Sequence, residues 1–197
     1  MLKTGITGGI GSGKTIVCQV FETLGIPVFY ADAAAKLLME QDDHLILQIK
    51  SAFGDAIYKG KQLDRENMAS IVFNDSGKLN ILNSFVHPAV LKYSNEWMEQ
   101  QTSPYALKEA AILFESNNHK TLDAVIGVYA PKALRIQRAM HRDGATREKI
   151  EARIAKQMNE EEKMKLCDYV IINDGIQAII PQVLHIHSLL LEKSQSS

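Results

Sequence analysis

Eight consecutive residues, Gly8-Gly9-Ile10-Gly11-Ser12-Gly13-Lys14-Thr15, carry the clearest chemistry in the chain. They fit the pattern G-x-x-x-x-G-K-[ST] at every position. Glycines let the backbone turn successive N–H groups inward, making a concave nest for anions. A helix opening directly from the loop adds its free N–H groups and the positive end of its dipole. Lys14 supplies a full charge for β- and γ-phosphates, and the Thr15 hydroxyl is placed to ligate magnesium. Together with Ile16, these residues form a candidate nucleoside triphosphate site. No Asn-Lys-x-Asp tetrapeptide for reading guanine occurs, and the chain is short for a motor. A small kinase is favoured, because it needs little beyond this loop, an acceptor pocket and a cationic lid.

Arg135, Arg138 and Arg142 stand at i, i+3 and i+7 on a helix opened by Pro131, and so share one face. Arginine forks match the equatorial oxygens of a phosphoryl group in transfer. Arg138 and Arg142 are read as functional, and Arg135 is left open between that role and a solvated basic face. Asp32 follows a short strand, at the strand end where open parallel sheets bind ligands. It is both a candidate base for an attacking hydroxyl and a good helix N-cap. Glu115 is either a functional carboxylate at a strand end or a turn residue. Taken alone, His87 reads as a buried hydrogen-bonded histidine and Arg65 as solvent-exposed. His185 and His187, two apart on a helix, fall on different faces and do not suggest a metal site.

These groups need a scaffold. Leu2–Thr7 reads as a first strand, 14–24 as a helix stopped by Gly25, and 27–30 as a second strand. Asp32 would cap a helix over 33–39. Residues 42–101 turn mostly helical, with a break or a kink expected after His87 at Pro88. Strand patterns return at 105–107 with 111–114, at 124–129 and at 169–172, separated by helical stretches. The alternation predicts a three-layer α/β core around a parallel sheet. The chain is read as one unit, 1–197. Its nucleotide-binding core is 1–41, 102–137 and 168–193, with a helical acceptor lobe at 42–101 and a lid at 138–167. The lid charges, Glu160–Glu162 among them, are read as solvated on an exposed flap.

Composition narrows the partners. With 22 Lys+Arg against 23 Asp+Glu the formal net charge is −1, which removes the basic excess of a dedicated nucleic-acid binder. Cys18 and Cys167 are too few for a disulfide framework or a four-cysteine zinc site, and read as small apolar residues. No signal peptide and no membrane-spanning run are expected, so a cytoplasmic location follows.

The motifs in order resemble the dephospho-CoA kinase family over nearly the whole chain. They are Thr7 to Lys14, Ala31-Asp32, Phe53-Gly54, Leu63-Asp64-Arg65, His87-Pro88, Leu113-Phe114-Glu115, Gln137-Arg138, Arg142-Asp143, Arg153-Ile154, Gln157, and Val170-Ile171 with Asn173. The resemblance implies a phosphate-loop kinase core with a helical insertion and a lid. It implies transfer of a phosphoryl group from ATP, with Mg2+, to the ribose 3′-hydroxyl of dephospho-CoA. Asp32 then matches the catalytic base, Lys14, Arg138 and Arg142 lie by the phosphates, and Arg65, His87 and Glu115 help shape the acceptor site. Departures are Tyr30 and Ile16, where the family often has an acid and a hydroxyl, and Ala111-Ile112-Leu113 for Pro-Leu-Leu. Ile172 likewise stands where an acid is common. The alternatives are another small-molecule kinase, acting on a nucleoside monophosphate or a sugar acid, and a nucleotide-gated binding module without transfer chemistry.

Overall fold

Five strands form the sheet: β1 (Leu2–Thr7), β2 (Val28–Tyr30), β5 (Tyr105–Glu109), β6 (Ala124–Tyr129) and β7 (Tyr169–Ile172). A separate hairpin is made by β3 (Tyr58–Lys59) and β4 (Gln62–Leu63). The helices are α1 (Lys14–Thr23), α2 (Ala31–Gln41), α3 (Asp43–Phe53), α4 (Arg65–Phe73) and α5 (Ser76–Glu99). They continue with α6 (Lys132–Asp143), α7 (Arg147–Ile154), α8 (Glu160–Lys165) and α9 (Ile179–Gln195). This computed structural model describes residues 1–73 and 75–196. Its contacts divide the chain into two compact units, Met1–Phe29 with the chain from Gln100 onward, and Tyr30–Glu99.

The sheet order is β2-β5-β1-β6-β7. β1 pairs in parallel with β5 and β6, and β6 in parallel with β7. A parallel sheet is covered on both faces, so its strands are apolar almost throughout. Ile6, Tyr105, Leu107, Ile126, Val128 and Ile171 are all fully buried. Val17 and Phe21 of α1 and Val183 and Leu190 of α9 are fully buried as well. The expected strand at 105–107 extends to Glu109, so Lys108 and Glu109 end a central strand as buried charges. Residues 111–114 are not a strand: β5 has stopped and the chain turns there. α6 and α7 meet through Ile136, Ala139 and Ile150, with Ile10 of the glycine loop packed against them.

The second unit is helical apart from its hairpin. Asp42 caps α3, its side chain accepting from the N–H groups of His44 and Leu45. α5 packs on α2, α3 and α4 through Leu82, Val86, Val90 and Met98. It runs through Pro88, so the break, the first of the two expected outcomes there, does not occur. Proline removes one helical hydrogen bond, but buried side chains on both sides of it keep the two halves in one continuous helix. Asp32 is not a cap either: α2 begins at Ala31, Tyr30 occupies the cap position without a side-chain bond, and Asp32 sits exposed in the first turn.

Candidate active site

β1 feeds directly into the glycine loop, with Thr7, Gly8 and Gly9 buried. Gly13 precedes α1 with φ 95°, a left-handed conformation, and a Cβ added there would collide with the Asn173 side chain. The Ser12 N–H donates to the Gly9 carbonyl at 3.1 Å, closing the turn. Lys14 Nζ donates to the Gly8 carbonyl at 2.7 Å, so the lysine lies over its own loop. The Glu109 carboxylate, at the end of β5, is 3.9 Å from that ammonium. Thr15, in the first turn of α1, is exposed.

Two of the three arginines reach the loop. Arg138 Nη1 donates to the Asn173 carbonyl at 3.0 Å and Nη2 to Asn173 Oδ1 at 3.2 Å. Asn173 Nδ2 in turn donates to the Ser12 carbonyl at 2.8 Å. Asn173, just past β7, is only 5% exposed and its own N–H is held by the Tyr129 carbonyl. Arg138 is thereby fixed to the loop through one amide side chain. Arg135 goes deeper still: it is 4% exposed and its Nη1 donates to Glu160 Oε2 at 2.8 Å. Arg142, on the same helix, is exposed and pairs with Asp143, which also accepts from Arg153. Hydrogen bonding from Arg142, and then from Arg153, holds the Asp143 carboxyl down at about 2.

Most of the lid charges are solvated as expected, Arg147, Lys149, Arg153, Lys156, Glu161 and Glu162 among them, but Glu160 is not. Glu160 is 5% exposed and Lys163 fully buried, one turn apart on α8. Lys163 Nζ donates to Glu115 Oε1 and to the Ala111 carbonyl, each at 2.9 Å. Glu115 lies in a turn, the second of its two readings, and also accepts the Met158 N–H. Burial alone would raise its carboxyl, but the Met158 N–H and the Lys163 ammonium outweigh it and hold it below the ordinary value. Glu109, Lys108, Glu160 and Lys163 escaped sequence reasoning. Lys108, 2% exposed, is pushed down to about 8 by burial.

In the second unit, Arg65 Nη2 donates to Glu40 Oε1 at 2.9 Å, at the last turn of α2. Asp32 is at the other end of that helix, eight residues and about 12 Å away along its axis. His87 is half-buried on α5, and burial lowers its pKa. Arg65 and Asp32 therefore do not share one cluster within this unit. Among the described residues no group of three or more His, Cys, Asp or Glu side chains could hold a metal ion.

A parallel sheet whose first strand ends in a glycine loop of the G-x-x-x-x-G-K-[ST] pattern, with its lysine in place and a tethered arginine beside it, defines a phosphate-loop kinase. The sequence model of the dephospho-CoA kinase family matches residues 2–178, and the chain belongs to that family. A dephospho-CoA kinase of Bacteroides fragilis is 36% identical over 193 residues, 98% of this chain and 94% of that protein. A crystal structure from Thermus thermophilus superposes with a TM-score of 0.83 at 33% identity, covering 98% of this chain and 97% of that one. The dephospho-CoA kinase of Campylobacter jejuni gives a TM-score of 0.70 at 27% identity, covering 97% and 98%. No helix among the described residues is long and apolar enough to cross a membrane.

Proposed function

We propose that the protein phosphorylates the ribose 3′-hydroxyl of dephospho-CoA with ATP, releasing coenzyme A and ADP. Family membership supports the acceptor, and the loop supports the donor. The observation that carries the reading is Arg138 bound, through Asn173, to the Ser12 carbonyl of the glycine loop. That linkage keeps a guanidinium beside the loop that cradles phosphates, before any substrate arrives. Transition-state charge on the transferred group is then met by a preorganised cation, without reorganisation at the moment of reaction.

In this reading Gly8 to Ile16 receive the triphosphate and Lys14 moves from the Gly8 carbonyl onto its β- and γ-oxygens. Asp32 orients and deprotonates the 3′-hydroxyl, and its exposed position in the first turn of α2 supports that task. Arg142 would turn from Asp143 towards the transferred group. Arg65 and His87 shape the acceptor lobe, while Glu115 supports the site through Lys163. Magnesium fits the residues present. Thr15 offers a hard oxygen ligand from an exposed helix turn, and an ion that keeps its waters and substrate oxygens needs no all-protein cage. When bound it would neutralise charge on the triphosphate. A cytoplasmic site of action belongs to the same reading.

The test is incubation with ATP, magnesium and dephospho-CoA, followed by mass spectrometry of the acceptor. A gain of one phosphoryl group is expected. Asp32→Ala should cut turnover at least about 100-fold, within the range of lost general-base catalysis, with ATP affinity little changed. Near-normal turnover in that variant, or no modified acceptor with the wild type, would refute the assignment.

A further inference from the structure

The first two variable amides of the glycine loop are occupied by side chains from one segment of the lid. The Gly9 N–H donates to both carboxylate oxygens of Glu160, each at 3.0 Å, and the Ile10 N–H donates to Gln157 Oε1 at 3.1 Å. Arg135 completes the arrangement, its Nη1 on Glu160 Oε2. A Cβ at Gly9 would fall onto both the Arg135 guanidinium and the Glu160 carboxylate, so only glycine allows this approach. Arg135 Nε is buried without a hydrogen-bond partner. A buried ion pair seldom gains net stability over apolar packing, and an orphaned donor makes it costlier still. Stability alone is a poor reason for this pair to sit where it does. The loop supplies a better one.

We propose that Glu160 and Arg135 are positioning residues for nucleotide, acting through the Gly9 amide, a claim that rests on the kinase reading above. Two roles are divided between them. Glu160 fixes the Gly9 peptide with its N–H turned to the lid, which sets the entry to the loop, and Gln157 repeats this at Ile10. A carboxylate beside a triphosphate would repel it, and Arg135 cancels that charge. The pair therefore gives the loop a rigid acceptor without a net negative field. The hold also couples the 157–160 segment to the phosphate site, since displacing the segment releases both amides together.

Geometry and charge separate by substitution. Glu160→Gln keeps an acceptor for Gly9 and leaves Arg135 uncompensated, so ATP affinity should stay within twofold or tighten. Glu160→Ala removes the acceptor, and ATP should bind about tenfold more weakly. Arg135→Gln exposes the loop to an unneutralised carboxylate, with a tenfold weakening for ATP that shrinks as salt is raised. Arg135→Gln with Glu160→Gln restores a neutral hydrogen-bonded pair, returning ATP affinity to within threefold of wild type. The measurement is calorimetric titration of ATP with magnesium, without acceptor, alongside a thermal melt and the KM for dephospho-CoA, which should not move. Wild type that binds no ATP overturns the kinase reading, and the inference with it. Wild-type binding with unchanged affinity in Arg135→Gln, or equal weakening in Glu160→Gln and Glu160→Ala, overturns the inference alone. Where Arg135→Gln does not fold, Glu160→Gln and the double variant decide: a tenfold loss in either refutes the proposal.

Discussion

Replacing Asn173 by alanine tests the linkage on which Arg138 depends. The side chain makes two contacts, Nδ2 to the Ser12 carbonyl at 2.8 Å and Oδ1 from Arg138 Nη2 at 3.2 Å, in a site only 5% exposed. Truncation leaves a buried loop carbonyl without its donor, at a cost of about 1–3 kcal/mol. The guanidinium keeps its bond to the Asn173 backbone carbonyl, so Arg138 loses orientation more than location. A total of about 2–3 kcal/mol is expected, or a melting temperature lower by roughly 4–12 °C for a chain of this size. Turnover should fall at least about tenfold, because a transition-state contact is sensitive to small misplacements. Asn173→Asp separates the two functions: it keeps an acceptor for Arg138 but sets an oxygen against the Ser12 carbonyl. That variant should lose as much stability as alanine and retain more turnover. Urea denaturation and steady-state kinetics with ATP and dephospho-CoA measure both. Asn173→Ala within 0.5 kcal/mol of wild type, roughly the ordinary spread of neutral surface changes, and within twofold in turnover would refute the tether.

Gly13→Ala places a Cβ at φ 95° and against Asn173, so a loss of at least about 2 kcal/mol in urea denaturation is expected, with ATP binding abolished. Lys163→Met removes the charged hydrogen bond to Glu115 and should destabilise the fold by about 1.5–3 kcal/mol, read as a drop in denaturation midpoint. In wild type the Glu115 carboxyl lies below its ordinary 4.5, so its contribution is present above that pH and fades as acid carries it through the folded value. Glu115→Gln should flatten that acid limb. Lys108 has the opposite sense: burial brings it from 10.5 to about 8, so between these values the unfolded chain binds more protons and stability rises with pH. The gain is on the order of 3 kcal/mol from pH 8 to 10.5, and Lys108→Met should remove it in urea midpoints compared at the two pH values.

What could be read from the sequence follows from how local each signal is. The glycine loop declares itself because a phosphate nest is made from one contiguous stretch of backbone, and strand alternation around it fixes the class of sheet. Arg138 is legible for a similar reason, since helical spacing alone puts it on a face with Arg135 and Arg142. Their fates then diverge through partners far along the chain: Asn173 for Arg138, Glu160 for Arg135, the neighbouring Asp143 for Arg142. Nothing in Glu160-Glu161-Glu162-Lys163 distinguishes the buried ends from the exposed middle, because a Glu and a Lys three apart also describe any surface pair. Lys108 and Glu109 concealed the end of a strand, as their charges ended the apolar run before the backbone pairing ended. At Pro88 the error is in the other direction: a local rule that allowed a break at one missing N–H lost to burial spread along 24 residues of helix. The pattern is consistent. Charges that anchor the lid to the loop were invisible because their meaning lies in their partners, and the sites where local rules mislead are the ones where the fold brings distant charges together.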